Sequence, residues 1–283
     1  MKIAVVTDTD ASLPQHICDQ YQIQLVPITV QFGEESFESE VDITDEEVFV
    51  RIDREGKLPT TAAPSPGKWA QAFQAAFDDG ADAVLCFTVS ANLSATYDAA
   101  VMAATDIIKD RNITVVDTNS LSMAQGFMAM AAAKALQEGG GLEEAVAAAK
   151  ALEGRMFLYG ALSTLRYLAM SGRVGHIAAG MANLLDIKPI LAMDNGKLEL
   201  LEKVRTRKKA WNRMLELSKE KLGDKKIEQL AVLHVACQAD AEEFAQMARE
   251  YLGYSGEIMI SGMTAGLSVH TGAGMVGITI LTD

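Results

Sequence analysis

Aromatic side chains are scarce in this chain, at 6% of 283 residues, and cysteine is scarcer, with Cys18, Cys86 and Cys237 far apart. Three unspaced cysteines make neither a disulfide framework nor a metal ligand set, which fits a reducing cytoplasm. No apolar run is long enough to cross a bilayer. The start, Met1-Lys2-Ile3-Ala4-Val5-Val6, turns polar at Thr7-Asp8-Thr9-Asp10 and lacks the apolar stretch of a signal peptide. Positive charge is also short: 25 Lys and Arg face 38 Asp and Glu, for a net charge of −13. Such a surface repels nucleic acid and anionic lipid as main partners, leaving at most a transient membrane contact. The glycine-rich phosphate fingerprints of nucleotide sites are missing, so no cofactor is expected.

What is present is a soluble globular composition, 49% hydrophobic and 22% charged, with 14 Met. A Met-rich, aromatic-poor interior fills irregular gaps and can also tolerate a flexible apolar ligand. Short aliphatic runs at Ile3–Thr7, Ile23–Thr29, Ala83–Thr88 and Ile113–Asp117 alternate with helical patterns. The helices are expected at 44–54, 66–77, 94–109, 122–137 and 142–152. This order predicts an α/β domain built on a parallel sheet. Ser65-Pro66 and the capping box Thr44-Asp45-Glu46-Glu47 mark two helix starts. The second half has a hairpin turn at Asn195-Gly196. A helix is expected at 206–222, a strand at 227–235, a helix at 239–252, and strands near 257–260 and 276–281. That makes a second α/β unit with a mixed sheet. The expected boundary gives domains 1–153 and 154–283.

Four segments could carry chemistry. Pro59-Thr60-Thr61-Ala62-Ala63-Pro64 holds two hydroxyls between stiffening prolines; it is a fixed donor for a carboxylate or a plain connector. Thr88-Val89-Ser90-Ala91-Asn92-Leu93-Ser94 follows a strand and opens a helix, where free N–H groups favour anions and where α/β sheets gather ligands. Ser94 could equally be a simple cap. His270-Thr271 sits in a Gly- and hydroxyl-rich stretch, Ser261 to Gly274, which reads as a loop. The basic run Lys203 to Lys209 opens a helix, the unfavourable end of its dipole for cations. Arg205 and Arg207 there imply a nearby anion or an acidic partner. Ser171-Gly172-Arg173 adds a positive charge beside helices of small and aliphatic residues.

These segments together resemble the DegV family. The resemblance runs over nearly the whole chain: the Val-Thr-Asp-Thr start, the Pro-Thr-Thr…Pro-Ser-Pro loop, Leu93-Ser94…Thr96-Tyr97, Val116-Asp117-Thr118…Ser120, Ser171-Gly172-Arg173, Asn183-Leu184-Leu185…Lys188-Pro189-Ile190, Val204-Arg205…Arg207-Lys208-Lys209 and His270-Thr271-Gly272. Members of that family are fatty-acid-binding proteins, and in many bacteria they are the acyl-carrying subunit of fatty acid kinase. The resemblance implies a Rossmann-like α/β domain and a mixed-sheet α/β domain, with a lipid tunnel between them. It implies that Thr61, Ser90, Ser94, Arg205 and His270 hold the ligand carboxylate, with Thr60, Asn92 and Thr271 behind them. Arg173 would serve the kinase partner or the phosphorylated head group. The chain would be a cytoplasmic, non-catalytic monomer. One departure matters: Ala91 and Ala95 stand where the family has Ser and Gly, which removes one expected hydroxyl.

The physics suits a lipid. Each buried methylene gains roughly 0.8 kcal/mol, so about fifteen gain on the order of 12 kcal/mol before immobilisation costs. The carboxylate opposes burial unless donors meet it. The stretches 123–136 and 177–185, rich in small and aliphatic residues, could wall a tunnel or simply pack tightly. Two other readings stay open. One is a serine-based acyl transferase or hydrolase using Ser90 or Ser94 with His270, although the Gly-x-Ser-x-Gly elbow is missing. The other is a sensor of another small amphiphile.

Overall fold

A computed structural model describes residues 1–172 and 187–283. In chain order its strands and helices are β1 (Ile3–Asp8), α1 (Gln15–Tyr21), β2 (Ile23–Val26), β3 (Thr29–Phe32), β4 (Glu35–Glu38), α2 (Asp45–Glu55), β5 (Thr60–Ala62), α3 (Pro66–Asp78), β6 (Ala83–Thr88), α4 (Thr96–Met102), β7 (Asn112–Asp117), α5 (Ser122–Gln137) and α6 (Leu142–Lys150). They continue with β8 (Met156–Ala161), α7 (Arg166–Ser171), β9 (Lys188–Asp194), β10 (Lys197–Val204), α8 (Arg207–Leu222), β11 (Ile227–His234), α9 (Gln238–Leu252), β12 (Ile258–Gly262), α10 (Ala265–Thr271) and β13 (Val276–Thr282).

The chain forms two compact units. The first holds Met1–Asp42, Thr61–Glu153 and the turn Asn195–Lys197; the second holds Ile43–Thr60, Gly154–Asp194 and Leu198–Asp283. The first unit is built on a four-stranded sheet in the order β2-β1-β6-β7, parallel at each pairing. Val6, Val84 and Cys86 point to one face, where they pack with Trp69, Phe73 and Phe77 of α3 and Ala100 of α4. α5 covers the other face, wrapped by β1, β2, β6, α1 and α6. Its Ala, Gly and Met residues are therefore used in close packing, while 177–185 lies outside the described residues.

The aliphatic stretch read as one strand, 23–29, divides at Pro27: β2 stays in the parallel sheet, and β3 joins β4 and β5 in a separate small sheet. Proline has no N–H to offer a ladder, so the strand stops there. The helix expected from residue 94 begins at Thr96 and ends in a π-helical turn, Ala103–Ile107.

The second unit is a six-stranded mixed sheet, β10-β9-β8-β13-β11-β12. Its hairpin turn has Asn195 at φ 47° and Gly196 at φ 78°, the positive values that a two-residue turn of this hand demands. One sheet face carries Tyr159, Ala161, Ile190, Leu230, Val232, Ile278 and Ile280, packed on Trp211 and Met214 of α8 and Phe244 of α9. The register fixes what faces the other way. Leu191, Gly160, Gly277 and Leu233 are successive cross-strand partners. The neighbouring rung is Leu158, Thr279 and Ala231. Two glycines thus meet side by side at the centre of this face between Leu191 and Leu233, a shallow trough bounded along β8 by Leu158. α8 and α9 lie directly on the strands. α2, α7 and α10 pack on one another instead, Phe49 meeting Tyr167 edge to face at 6.3 Å, and among the described residues they make no comparably close approach to the strands.

The stretch from Ser261 to Gly274, read as a loop, contains α10. His270 therefore sits in a last helical turn. Burial of Ala265 through Val269 outweighs the poor helix propensity of the Gly, Ser, Val and Thr within it, and Gly272 ends it.

Asp8, at the end of β1, is fully buried, and burial raises its carboxyl from the usual 3.8 to about 6. Hydrogen bonds from Val89, Gln125 and Asp10 pull the other way. A raised folded value means that stabilisation is complete below 3.8 and lost as pH rises through about 6. By neutral pH the loss is on the order of 3 kcal/mol. The stability of the wild type relative to Asp8→Asn, read by urea unfolding, should fall between about pH 3 and pH 7 by that order of magnitude, most steeply between the two pKa values. A difference that does not move with pH refutes the assignment; the opposing titration of His234, which burial depresses, is common to both proteins. In the second unit the Thr279 hydroxyl is buried with no hydrogen-bond partner among the described residues. Thr279→Val should therefore stabilise the fold by about 1 kcal/mol in thermal or chemical unfolding. A loss of stability would show that the hydroxyl has a partner.

Candidate functional site

The carboxyl ends of β1, β6 and β7 meet in a network of short polar contacts. Asp8 Oδ2 accepts from the Val89 N–H at 2.9 Å, while Oδ1 accepts from Asp10 N and Gln125 Nε2, each at 3.0 Å. Gln125 also donates to Thr7 Oγ1 at 2.9 Å. Asp117 Oδ1 accepts from Asn119 N at 2.9 Å and Ala91 N at 3.2 Å. Ser90 N donates to Ser120 O at 2.8 Å, and Thr118 Oγ1 donates to Thr88 O at 2.8 Å. Two strand-end aspartates thus fasten the β6–α4 loop to its neighbours. A loop held this way presents its side chains in a fixed arrangement, which lowers the ordering cost of binding.

Within that loop the hydroxyls have different tasks. Ser90 is buried, and its Oγ donates to Gly196 O at 2.8 Å while accepting from Asn92 N. A Cβ on Gly196 would come within 2.7 Å of Asn92 Nδ2, 2.8 Å of Ser90 Oγ and 3.0 Å of Asn119 Oδ1. The turn therefore seats a bare backbone in a polar socket, and only glycine fits there. Ser94 is half-buried and its Oγ lies 2.7 Å from that of fully buried Thr96. Either hydroxyl can be the donor, and when Thr96 donates the Ser94 proton is left for another acceptor. Among the described residues the hydroxyls of Ser90 and Ser94 bond to the Gly196 carbonyl, the Asn92 N–H and the Thr96 hydroxyl, not to an imidazole. Asn92 is exposed, and Thr61, half-buried, lies in β5.

The remaining candidates lie in the second unit. Thr60 is exposed, as is Arg205 just beyond β10. His270 and Thr271 are half-buried at the end of α10, with the Thr271 hydroxyl turned back to the Leu267 and Ser268 carbonyls. Arg173 lies outside the described residues. The basic run is answered by α9: Arg207 pairs with Asp240 and stacks over Trp211 at 5.0 Å, and Lys208 pairs with Glu243. Arg207 and Lys188 also line a cavity of ≈ 250 Å³ with Ser163, Trp211 and Gly274.

Sequence reasoning did not assign Asp8, Asp117 or Gln125 to the site, and read Gly196 only as part of a hairpin turn. The signal for the aspartates was visible: Val6-Thr7-Asp8 and Val115-Val116-Asp117 each place an acid at the end of an aliphatic run. The trough glycines, 160 and 277, gave no such signal, because their pairing is a matter of register.

A model described as an uncharacterised protein of the DegV family matches residues 2–283. A DegV domain-containing protein of Streptomyces coelicolor is 34% identical and covers 98% of each chain. Among solved structures, a fatty-acid-binding DegV family protein of Thermus thermophilus is 30% identical with a TM-score of 0.89, covering 100% of both chains. DegV of Bacillus subtilis, a fatty acid binding protein, is 30% identical with a TM-score of 0.88 and the same coverage. A stearic-acid-binding protein of Eubacterium ventriosum is 25% identical with a TM-score of 0.91, covering 100% of this chain and 98% of its own. The chain belongs to the DegV family.

Proposed function

We propose that this protein binds a long-chain fatty acid and presents it, without turning it over, to a separate kinase that phosphorylates the carboxylate. The observation that carries the reading is the rung on one face of the six-stranded sheet where Gly160 and Gly277 lie side by side between Leu191 and Leu233. An aliphatic tail is the ligand such a face suits. The fatty-acid-binding relatives support the same class of ligand at 30% identity over the full chain.

The head group is assigned to Thr61, Ser90, Ser94, Arg205 and His270. Ser94 is the direct donor in the β6–α4 loop, because its proton is available once Thr96 donates to it. Ser90 acts one step back, since its proton holds the Gly196 carbonyl. Thr60, Asn92 and Thr271 make the outer ring, and Arg173 serves the kinase or the acyl phosphate. The carrier needs no cofactor and works as a cytoplasmic monomer.

Titration with a long-chain acid tests this. Removing one hydrogen bond to a charged group costs roughly 1.5–3 kcal/mol, so Thr61→Val, Ser94→Ala and Arg205→Ala should each weaken binding by roughly ten- to a hundredfold. The matching primary alcohol should bind the wild type more weakly than the acid and feel these variants less. Unchanged affinity in all three variants would overturn the head-group assignment. Trapping with hydroxylamine should detect acyl phosphate only when ATP and the kinase are both added; product formed by this protein alone would overturn the carrier reading.

A further inference from the structure

The floor of the trough is already touched by one flexible side chain. A Cβ built on Gly160 would lie 2.9 Å from Met275 Cε, and one built on Gly277 would lie at the same distance, 2.9 Å. A single thioether methyl therefore rests on both glycines of the central rung. Among the described residues the only other atom within 4 Å of the Gly160 position is Leu162 Cδ1, at 3.9 Å.

Met275 is 3% exposed, and its backbone is pinned: its carbonyl accepts from Val235 N at 3.1 Å and from Cys237 Sγ at 3.3 Å. Only the side chain is free to rearrange. An unbranched thioether does so easily, which makes methionine a natural adjustable filler. The trough sides are different. Leu191 and Leu233 are buried residues of β9 and β11, held in register by their ladders.

We infer that Met275 is the specificity-determining residue for tail length: its thioether fixes how much of the trough an acyl chain can occupy. The inference rests on the fatty-acid reading above. It follows from volume. Whatever space the three atoms beyond Cβ take on the glycine floor is space a tail cannot use. Met275→Ala would open room for about two more methylenes, and each one gained would tighten binding roughly fourfold. Gly160→Ala works in the opposite sense. Its new methyl meets only flexible atoms, so the strand accepts it, and the thioether is driven further into the trough. Gly277 is a poorer test site, because a Cβ there also meets the Tyr159 carbonyl oxygen at 3.0 Å.

The test is competition binding of a homologous series of straight saturated acids to the wild type, Met275→Ala, Met275→Leu and Gly160→Ala, each first checked by a thermal melt. The length bound best should increase by about two carbons in Met275→Ala, stay within one step in Met275→Leu, and decrease in Gly160→Ala. A folded Met275→Ala with the wild-type optimum overturns the inference, even if Gly160→Ala is too unstable to assay. If the wild type itself binds no acid of any length, the fatty-acid reading fails instead.

Discussion

A fully buried carboxylate held by N–H donors organises the carboxyl edge of the parallel sheet. Asp8 gives up solvent entirely and receives three N–H donors in return, from Val89, Asp10 and Gln125. Each of those donors belongs to a different piece of chain: the β6–α4 loop, the turn after β1, and the first turn of α5. A charge with no water is costly, so the fold keeps it only because the contacts define where these pieces sit. Asp117 repeats the device one strand over, at a half-buried position. The result is a loop whose serines are fixed before any ligand arrives. Ser90 is turned to the Gly196 carbonyl and Ser94 is paired with Thr96.

The second unit has its own asymmetry. One face of its sheet is closed in the ordinary way by two long amphipathic helices carrying Trp211 and Phe244. On the other face the strands bring two glycines, an alanine and a threonine side by side. Small residues opposite one another leave a groove in what would otherwise be a filled pleat. A sheet that needed only to pack would fill those positions with branched side chains. The glycines at 160 and 277 instead leave a floor on which the Met275 methyl rests, and α2, α7 and α10 associate among themselves. A hydrophobic tail gains by leaving water for such an apolar surface.

Much of this was legible in the sequence. The strand runs, the Thr44 capping box, the Ser65-Pro66 helix start and the Asn195-Gly196 turn all have local causes, and each lies where those causes act. The parts that could not be read are those decided at a distance. Pro27 marks a strand end, but not that β3 leaves for another sheet. α2 carries its own caps, yet its association with α10, and the bond from the Ala236 N–H to Asp45, involve residues far along the chain. α10 hides in a Gly- and hydroxyl-rich stretch because burial, not propensity, makes it helical. In the candidate site the hydroxyl residues were visible by type, while their bonding was not: nothing in Ser90-Ala91-Asn92 announces that the serine's proton goes to residue 196. The glycine pair is a product of strand register and is invisible until β8 and β13 are laid together.

The central claim is that this protein holds a fatty acid on the smooth side of its mixed sheet. Native mass spectrometry of freshly purified protein tests it most directly. The account predicts a bound species whose mass matches a long-chain fatty acid, released as the free acid on denaturation and restored when that acid is added back. A spectrum of bare protein that stays bare after incubation with saturated and unsaturated long-chain acids would contradict it.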